Sequence, residues 1–195
     1  EETPGCLWYK GDLSLLSQPM VALVGSRELL ERNRRFAREV GRQAAIQGYT
    51  LVSGNAVGAD QTAQQACLDA GGAVISVLAT ELELQKQKGG VLYLAEDGFD
   101  EPFSAQRALS RNRIIHALGL KTFVAQCNLE KGGTWDGTVK NLRFGWSNVY
   151  CFADGSPAGC LLAEMGAQTI EIEQLNDFAS LPKPVAGLFE QENNT

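Results

Sequence analysis

The sequence is short of several groups that chemistry usually needs. Its one histidine, His116, sits among Ile115, Ala117 and Leu118 and reads as a packed or half-exposed side chain rather than a catalytic one. With no second histidine, neither a Ser-His-Asp nor a Cys-His relay is supported. The five cysteines (Cys6, Cys67, Cys127, Cys151, Cys160) are scattered and form no CxxC pair. That leaves no zinc-ligand spacing and no disulfide framework, so they read as reduced core thiols of a cytoplasmic protein, and no metal is expected. No apolar run approaches the roughly 18 residues of a membrane span, and the polar start Glu1-Glu2-Thr3-Pro4 shows no signal peptide. GxGxxG and GxxxxGKS/T are both missing, which removes the standard dinucleotide and Walker sites and any expectation of a resident cofactor.

Basic charge is also scarce, with a formal net charge of −6, but the acids are unevenly placed. From Glu164 onward there are six acids (Glu164, Glu171, Glu173, Asp177, Glu190, Glu192) and one base, Lys183, so residues 1–163 hold 17 acids and 16 bases. A local basic site within that nearly neutral stretch is compatible with the overall charge.

What is abundant is glycine, 21 residues in 195, mostly at the ends of apolar runs. Those runs alternate with helical patterns. Val21–Val24 is followed by Gly25-Ser26-Arg27 and a helix over about 31–47. In that helix Phe36, Val40 and Ala44 form an apolar stripe, while Arg35, Arg38 and Arg42 line another face suited to solvent or a dimer contact. A strand over Tyr49–Val52 and the turn Ser53-Gly54-Asn55 precede a helix over about 59–70, with Ala63, Ala66 and Cys67 facing inward. Strands are then read at Ala73–Leu78, Val91–Leu94, Thr122–Ala125, Asn148–Phe152 and Thr169–Ile172, and helices at Ser104–Leu118, Thr138–Phe144 and Ala158–Met165. Such alternation predicts an α/β fold, a Rossmann-like doubly wound and mainly parallel sheet with helices on both faces. The expected organisation is a lead-in over residues 1–20, one Rossmann-like domain over 21–173 and a frayed tail over 174–195, with no internal repeat. Pro182-Lys183-Pro184 breaks regular structure within that tail.

Parallel sheets bind ligands at the carboxyl ends of their strands, and three glycine turns fall there. These are Gly25-Ser26-Arg27, the run from Ser53 to Asp60 that contains Gly54, Asn55 and Gly58, and Lys131-Gly132-Gly133-Thr134. Each would aim backbone N–H groups at an anion from a helix N-terminus, with Ser26 and Thr134 adding hydroxyls and Arg27 a bidentate cation. Tight turns and caps are the plainer role for any one of them. Asp60 and Asp136 lie in or beside these turns, where a carboxylate can meet a base edge or ribose hydroxyl, and capping is the plainer role for both. On the helix over 104–118, Arg107 and Arg111 are four apart and share a face, Asn112 follows, and Arg113 points elsewhere, a segment that suits phosphate binding and a solvated, salt-bridged face equally.

Together these segments resemble the Rossmann-like domain of the DprA/Smf family, the DNA-processing proteins of bacterial transformation and recombination. Leu7-Trp8-Tyr9-Lys10-Gly11-Asp12-Leu13 resembles the family's lead-in, Val24-Gly25-Ser26-Arg27 its VGSR motif, and Ser53-Gly54-Asn55-Ala56-Val57-Gly58-Ala59-Asp60 its SGxAxGID turn. Arg111-Asn112-Arg113-Ile114-Ile115 reproduces RNRII, and Lys131-Gly132-Gly133-Thr134 is more loosely similar to SGSL. The resemblance spans about residues 7–172. The sequence departs from it at Asn55, at Ala59, at Gln64, at a shortened stretch over 81–97, and at Ala108, where the family usually carries an aromatic residue. No winged-helix segment is legible after residue 172.

The resemblance implies a non-catalytic homodimer that binds single-stranded DNA in a basic pocket at the strand ends and delivers it to a RecA-type recombinase. Gly25, Ser26 and Arg27 would hold a phosphate, Gly54 and Gly58 would admit the strand, and Arg111 and Arg113 would build or support the pocket. Two other classes compete. One is a small-nucleotide sensor, or a nucleotide phosphoribohydrolase-like enzyme of the same superfamily, in which Gly132-Gly133-Thr134 would be the phosphate turn and Asp136 the only nearby carboxylate. The other is an accessory subunit docking through the Arg-rich helix or through Val185–Phe189.

Overall fold

The computed structural model describes residues 3–183. Its elements in chain order are β1 (Trp8–Lys10), β2 (Met20–Val24), α1 (Glu31–Ile46), β3 (Thr50–Ser53), α2 (Ala59–Asp69), β4 (Val74–Leu78) and β5 (Val91–Ala95). They continue with α3 (Ala105–Ser110), α4 (Asn112–Leu118), β6 (Lys121–Val124), α5 (Gly132–Phe144), β7 (Asn148–Phe152), α6 (Pro157–Glu164) and β8 (Gln168–Ile170). The strands form one sheet in the order β1-β5-β4-β3-β2-β6-β7-β8. Every pairing is parallel except β1 with β5, where Tyr9 lies opposite Leu94. The doubly wound, mainly parallel α/β fold expected from the sequence is therefore present.

The β-branched and leucine-rich runs are buried on both sides because helices cover both faces. On one face Phe36, Val40 and Ala44 of α1 and Ala63 and Cys67 of α2 pack with Leu23, Phe123 and Tyr150. On the other, Ile114 and Ile115 of α4 and Leu162 of α6 pack with Ala22, Val52, Ile75 and Val149. Phe36 stacks on Phe152 with ring centroids 4.7 Å apart, and each such buried aromatic contributes about 1.5–3 kcal/mol of apolar burial. Burial also pushes the Cys67 thiol up to about 11. Cys127 and Cys151 are buried as well, whereas Cys6 and Cys160 are exposed, so only three of the five cysteines are core thiols.

Several boundaries differ from the sequence reading. The helix over 104–118 breaks at Arg111, which ends α3 and starts α4. The helix expected from Thr138 begins six residues earlier, at Gly132. On α2, Ala66 is only partly buried while Gln64 turns inward and donates to Ser76 Oγ at 3.3 Å. The last strand ends at Ile170 because Glu171 and Gln174 form a capping box that starts a 3₁₀ turn, Ile172–Asn176. Leu175 within it and Phe178 and Leu181 beyond it join the same buried core, Phe178 packing on Phe123 and Tyr49. The packed body thus runs through Leu181, past the expected boundary at residue 173, and takes in the lead-in through β1. Pro184 and Val185–Phe189 lie outside the described residues. Among the described residues, no helix is long and apolar enough to cross a membrane.

A candidate anion-binding cavity at the strand ends

Strand order reverses between β2 and β6, since the chain winds outward from β2 through β3 to β5 and returns to β6 on its other side. The loops leaving β2 and β6 diverge there, and a cavity of about 550 Å³ opens between them. Gly25, Ser26, Arg27 and Glu28 line it from β2, Gln126 and Asn128 from β6, and Lys131, Gly132, Gly133 and Thr134 from the start of α5. Ala56 and Asp60 come from the β3 turn. Ala105, Ala108, Leu109, Arg111 and Asn112 come from the α3–α4 side, with Phe103 just before it.

The three glycine turns converge, but they do not play equal parts. Gly25-Ser26-Arg27 is not at a helix N-terminus, because α1 starts only at Glu31 with Leu30 as its cap. Ser26 is already occupied: its N–H donates to Gln126 O at 2.9 Å and its hydroxyl to the same carbonyl at 3.2 Å. The Gln126 side chain accepts from Leu30 N at 3.0 Å and donates to Glu28 O at 3.2 Å, so it ties the β2 loop to β6. Of the VGSR residues, Arg27 is the one whose charged group is left to face a ligand.

The second turn braces the first. Gly58 has φ +99°, and a Cβ there would overlap the carbonyls of Ser26 and Arg27, so only glycine permits both the conformation and the approach. Ala59 N donates to Ser26 O at 3.2 Å. A Cβ on Gly54 would overlap the Arg111 guanidinium, which lies flat against that backbone and donates from Nη2 to Gly54 O at 3.0 Å. Gly54 and Gly58 therefore admit the protein's own groups rather than a ligand strand. Neither lines the cavity, nor do Ser53, which is fully buried, or Asn55, which takes the left-handed conformation at φ +59°. Asp60 accepts from Ala56 N at 3.2 Å and so ties the turn to the start of α2; it is not the helix cap expected, since Gly58 stands there and no side chain caps α2.

The arginines of the RNR segment are likewise committed. Arg111 is only 7% exposed and lies within electrostatic reach of buried Asp60 without a direct salt bridge to it. Burial raises the Asp60 carboxyl above its ordinary value, and the Arg111 charge opposes that rise. Arg111 still lines the cavity, and its buried Nε has no acceptor among the described residues. Arg107 sits one helical turn before it, with Arg111 N donating to Arg107 O at 2.9 Å, yet its side chain is committed elsewhere. Its Nε pairs with Asp97 at 2.7 Å and its Nη1 donates to Glu101 O at 2.7 Å and to Pro102 O. Arg113 pairs with Glu96 and donates to Ser110 Oγ at 2.6 Å. Neither Arg107 nor Arg113 lines the cavity. Asn112 does, and it donates to Gly133 O at 3.0 Å, fixing α4 to the start of α5.

The third turn has the arrangement foreseen for all three. Lys131 is the cap residue, Gly132, Gly133 and Thr134 form the first turn of a 13-residue helix, and no side chain caps it. Its N–H groups and positive dipole end border the cavity beside Lys131 and Arg27. Asp136, the carboxylate that a hydrolase would need, pairs instead with Lys140 at 2.9 Å and is absent from the cavity lining. His116 is fully buried with Nδ1 3.0 Å from Asn141 Nδ2. Burial, helped by the Arg111 charge, depresses it to about 3. The sequence reading missed Phe103, Leu109, Gln126 and Asn128. Only Phe103 left a trace there, as an isolated aromatic between Pro102 and the α3 cap Ser104.

A doubly wound, mainly parallel sheet with a glycine-lined cavity at its switch point defines a Rossmann-like class of domain. Within that class, the family of DNA recombination-mediator protein A matches residues 1–141, and the chain belongs to this DprA/Smf family. The chain is 31% identical over 186 residues to DNA processing protein DprA of Streptococcus pneumoniae, covering 87% of this chain and 64% of that protein. It thus spans less than two thirds of that relative's length. The X-ray structure of the pneumococcal protein superposes with a TM-score of 0.74 over 84% of this chain and 62% of that one. DNA processing protein A of Helicobacter pylori, a structure concerned with a single-stranded DNA binding mode, shares the fold with a TM-score of 0.78 at 24% identity. It is covered over 87% of its chain and 90% of this one.

Proposed function

We propose that this domain binds single-stranded DNA in DNA processing and recombination, as a non-catalytic cytoplasmic module. In this reading it works as a homodimer and passes the strand to a RecA-type recombinase. One observation carries the proposal: Arg27, Lys131 and the uncapped start of α5 converge on one cavity at the switch point. Backbone phosphate is the ligand such a set favours, because a cation and a helix N-terminus read charge and not sequence. Family membership and the H. pylori relative's single-stranded DNA binding support the choice of nucleic acid. The size of the cavity, about 550 Å³, favours a second reading, a sensor of one small nucleotide. A phosphoribohydrolase-like enzyme is the weaker form of it, given where Asp136 lies.

Fluorescence anisotropy with a labelled oligo-dT of about 20 nucleotides, between roughly 50 and 200 mM salt, tests the proposal. Binding is expected to weaken steeply with salt. Arg27→Ala and Lys131→Ala are each expected to weaken it severalfold and to lower the salt slope by about one. No binding of the oligonucleotide, alongside saturable binding of a nucleoside monophosphate, would establish the second reading instead.

A further inference from the structure

The cavity has two kinds of wall. Arg27, Lys131 and the start of α5 suit an anion. Adjoining them, α3 presents Ala105, Ala108 and Leu109, an i, i+3, i+4 stripe of small and apolar side chains with Phe103 at its head. Phe103 is 51% exposed, and the Arg27 guanidinium stands 6.0 Å from its ring centroid. Its surroundings differ from those of other exposed aromatics. Trp8 and Phe99 meet edge to face, and Phe144 stacks on Trp146, so those rings have aromatic partners. Phe103 has no ring partner among the described residues, and although Arg143 approaches Phe144 as closely as Arg27 approaches Phe103, of these rings only Phe103 borders the cavity.

The loop that carries Phe103 is strapped down. Arg107 donates to the carbonyls of Glu101 and Pro102, the two residues before Phe103, and pairs with Asp97 at the loop's start. Ser104, the residue after it, caps α3 by accepting from Arg107 N at 3.0 Å. A half-exposed ring held on both sides of its backbone loses little freedom when a flat partner stacks on it.

We propose that Phe103 is a base-stacking residue at the mouth of the cavity and that Arg107 is its positioning residue. The inference rests on the nucleic-acid reading above and deepens it: the bound strand contributes a base face to the apolar wall as well as phosphate to the cationic one. It also gives Arg107 a role without phosphate contact. Sequence-tolerant grip follows, since every base has a π-face.

The test compares oligo-dT with an oligonucleotide of equal length whose sugars carry no base. Phe103→Ala is expected to weaken dT binding at least about fivefold and to leave the abasic strand unchanged, while Phe103→Trp restores dT binding. Arg107→Gln should copy Phe103→Ala on both strands and add little to it in the double variant. Equal losses on both strands, or no loss on dT, would overturn the stacking role while leaving the proposed function standing. If the unmodified protein binds neither strand, the proposed function fails and this inference with it.

Discussion

The cations around the cavity fall into two groups that look alike in the sequence and behave oppositely in the fold. Arg107, Arg111 and Arg113 come from the most conspicuous basic segment, and each is spent on the protein itself: on a loop, on Gly54 and Asp60, and on Glu96. Arg27 and Lys131 stand alone in glycine turns, and they line the cavity with neither a salt bridge nor a side-chain hydrogen bond among the described residues, whereas Arg111 donates to Gly54 O. A buried cation must be matched or neutralised, and once matched it has little left for a ligand. Arg111 sits between the groups, since it is bonded to Gly54 O yet keeps a buried Nε without an acceptor among the described residues.

The sharpest way to break this comparison is to remove one member of each group. Arg111→Met leaves the Gly54 carbonyl without its buried donor and Asp60 without a nearby opposite charge, and an unfolding free energy lower by about 1–3 kcal/mol is expected at neutral pH. The deficit should shrink in acid, because Asp60 can then take up a proton. Gly54→Ala should act in the same direction by displacing the guanidinium. Arg27→Ala, by contrast, is expected to shift the urea midpoint by no more than about 0.5 kcal/mol equivalent while weakening oligonucleotide binding. Urea denaturation of the three variants decides it. A destabilised Arg27→Ala beside an unaffected Arg111→Met would reverse the assignment.

His116 tests the same burial at one remove, because the Arg111 charge adds to the desolvation that keeps its ring neutral. Its folded value, about 3, lies below the ordinary 6.5. The unfolded chain therefore binds the extra proton between those values, and stability falls as the pH drops through that window. From pH 6.5 to 5 the loss is about 1.6 kcal/mol, the slope starting at half of roughly 1.4 kcal/mol per unit and approaching it in full. Asp60, whose value is raised, works in the opposite direction. The readout is accordingly the difference in pH slope between the wild type and His116→Gln, in which the histidine contribution vanishes. Identical slopes would mean that the ring is not held neutral.

Strands, the doubly wound order and the three turns were legible because they depend on local signals: apolar runs, glycine at their ends, and alternation that leaves few topologies. β1 was missed because three half-exposed residues carry no period. The start of α5 was missed because Gly132-Gly133 reads as a breaker in a helix interior, whereas in the first turn the same pair only opens the approach to the N–H groups. The break at Arg111 was hidden by a helical pattern that continues through it with Ile114 and Ile115. Within the site, the sequence displayed the cations but not their partners. Which carboxylate lies near Arg111, and which carbonyls meet Arg107, are set by groups 51 and 5–6 residues away. Charge type is local information, and charge commitment is not.

The smallest expected effect marks where the comparison ends. Asp136 and Lys140 are half-exposed, four residues apart on α5, and 2.9 Å from each other. Such a pair contributes about 0.3–0.5 kcal/mol at most. Asp136→Asn should therefore leave the urea midpoint within that margin and oligonucleotide affinity unchanged, although Asp136 lies only two residues beyond Thr134 at the cavity. The helix supplies the reason: on α5 the first turn faces the cavity while position 136 turns toward Lys140 and solvent. Should Asp136→Asn instead abolish turnover of a nucleotide by this chain, a carboxylate outside the lining would have to reach it. The division between committed and available charges drawn from this structure would then be wrong at its most exposed point.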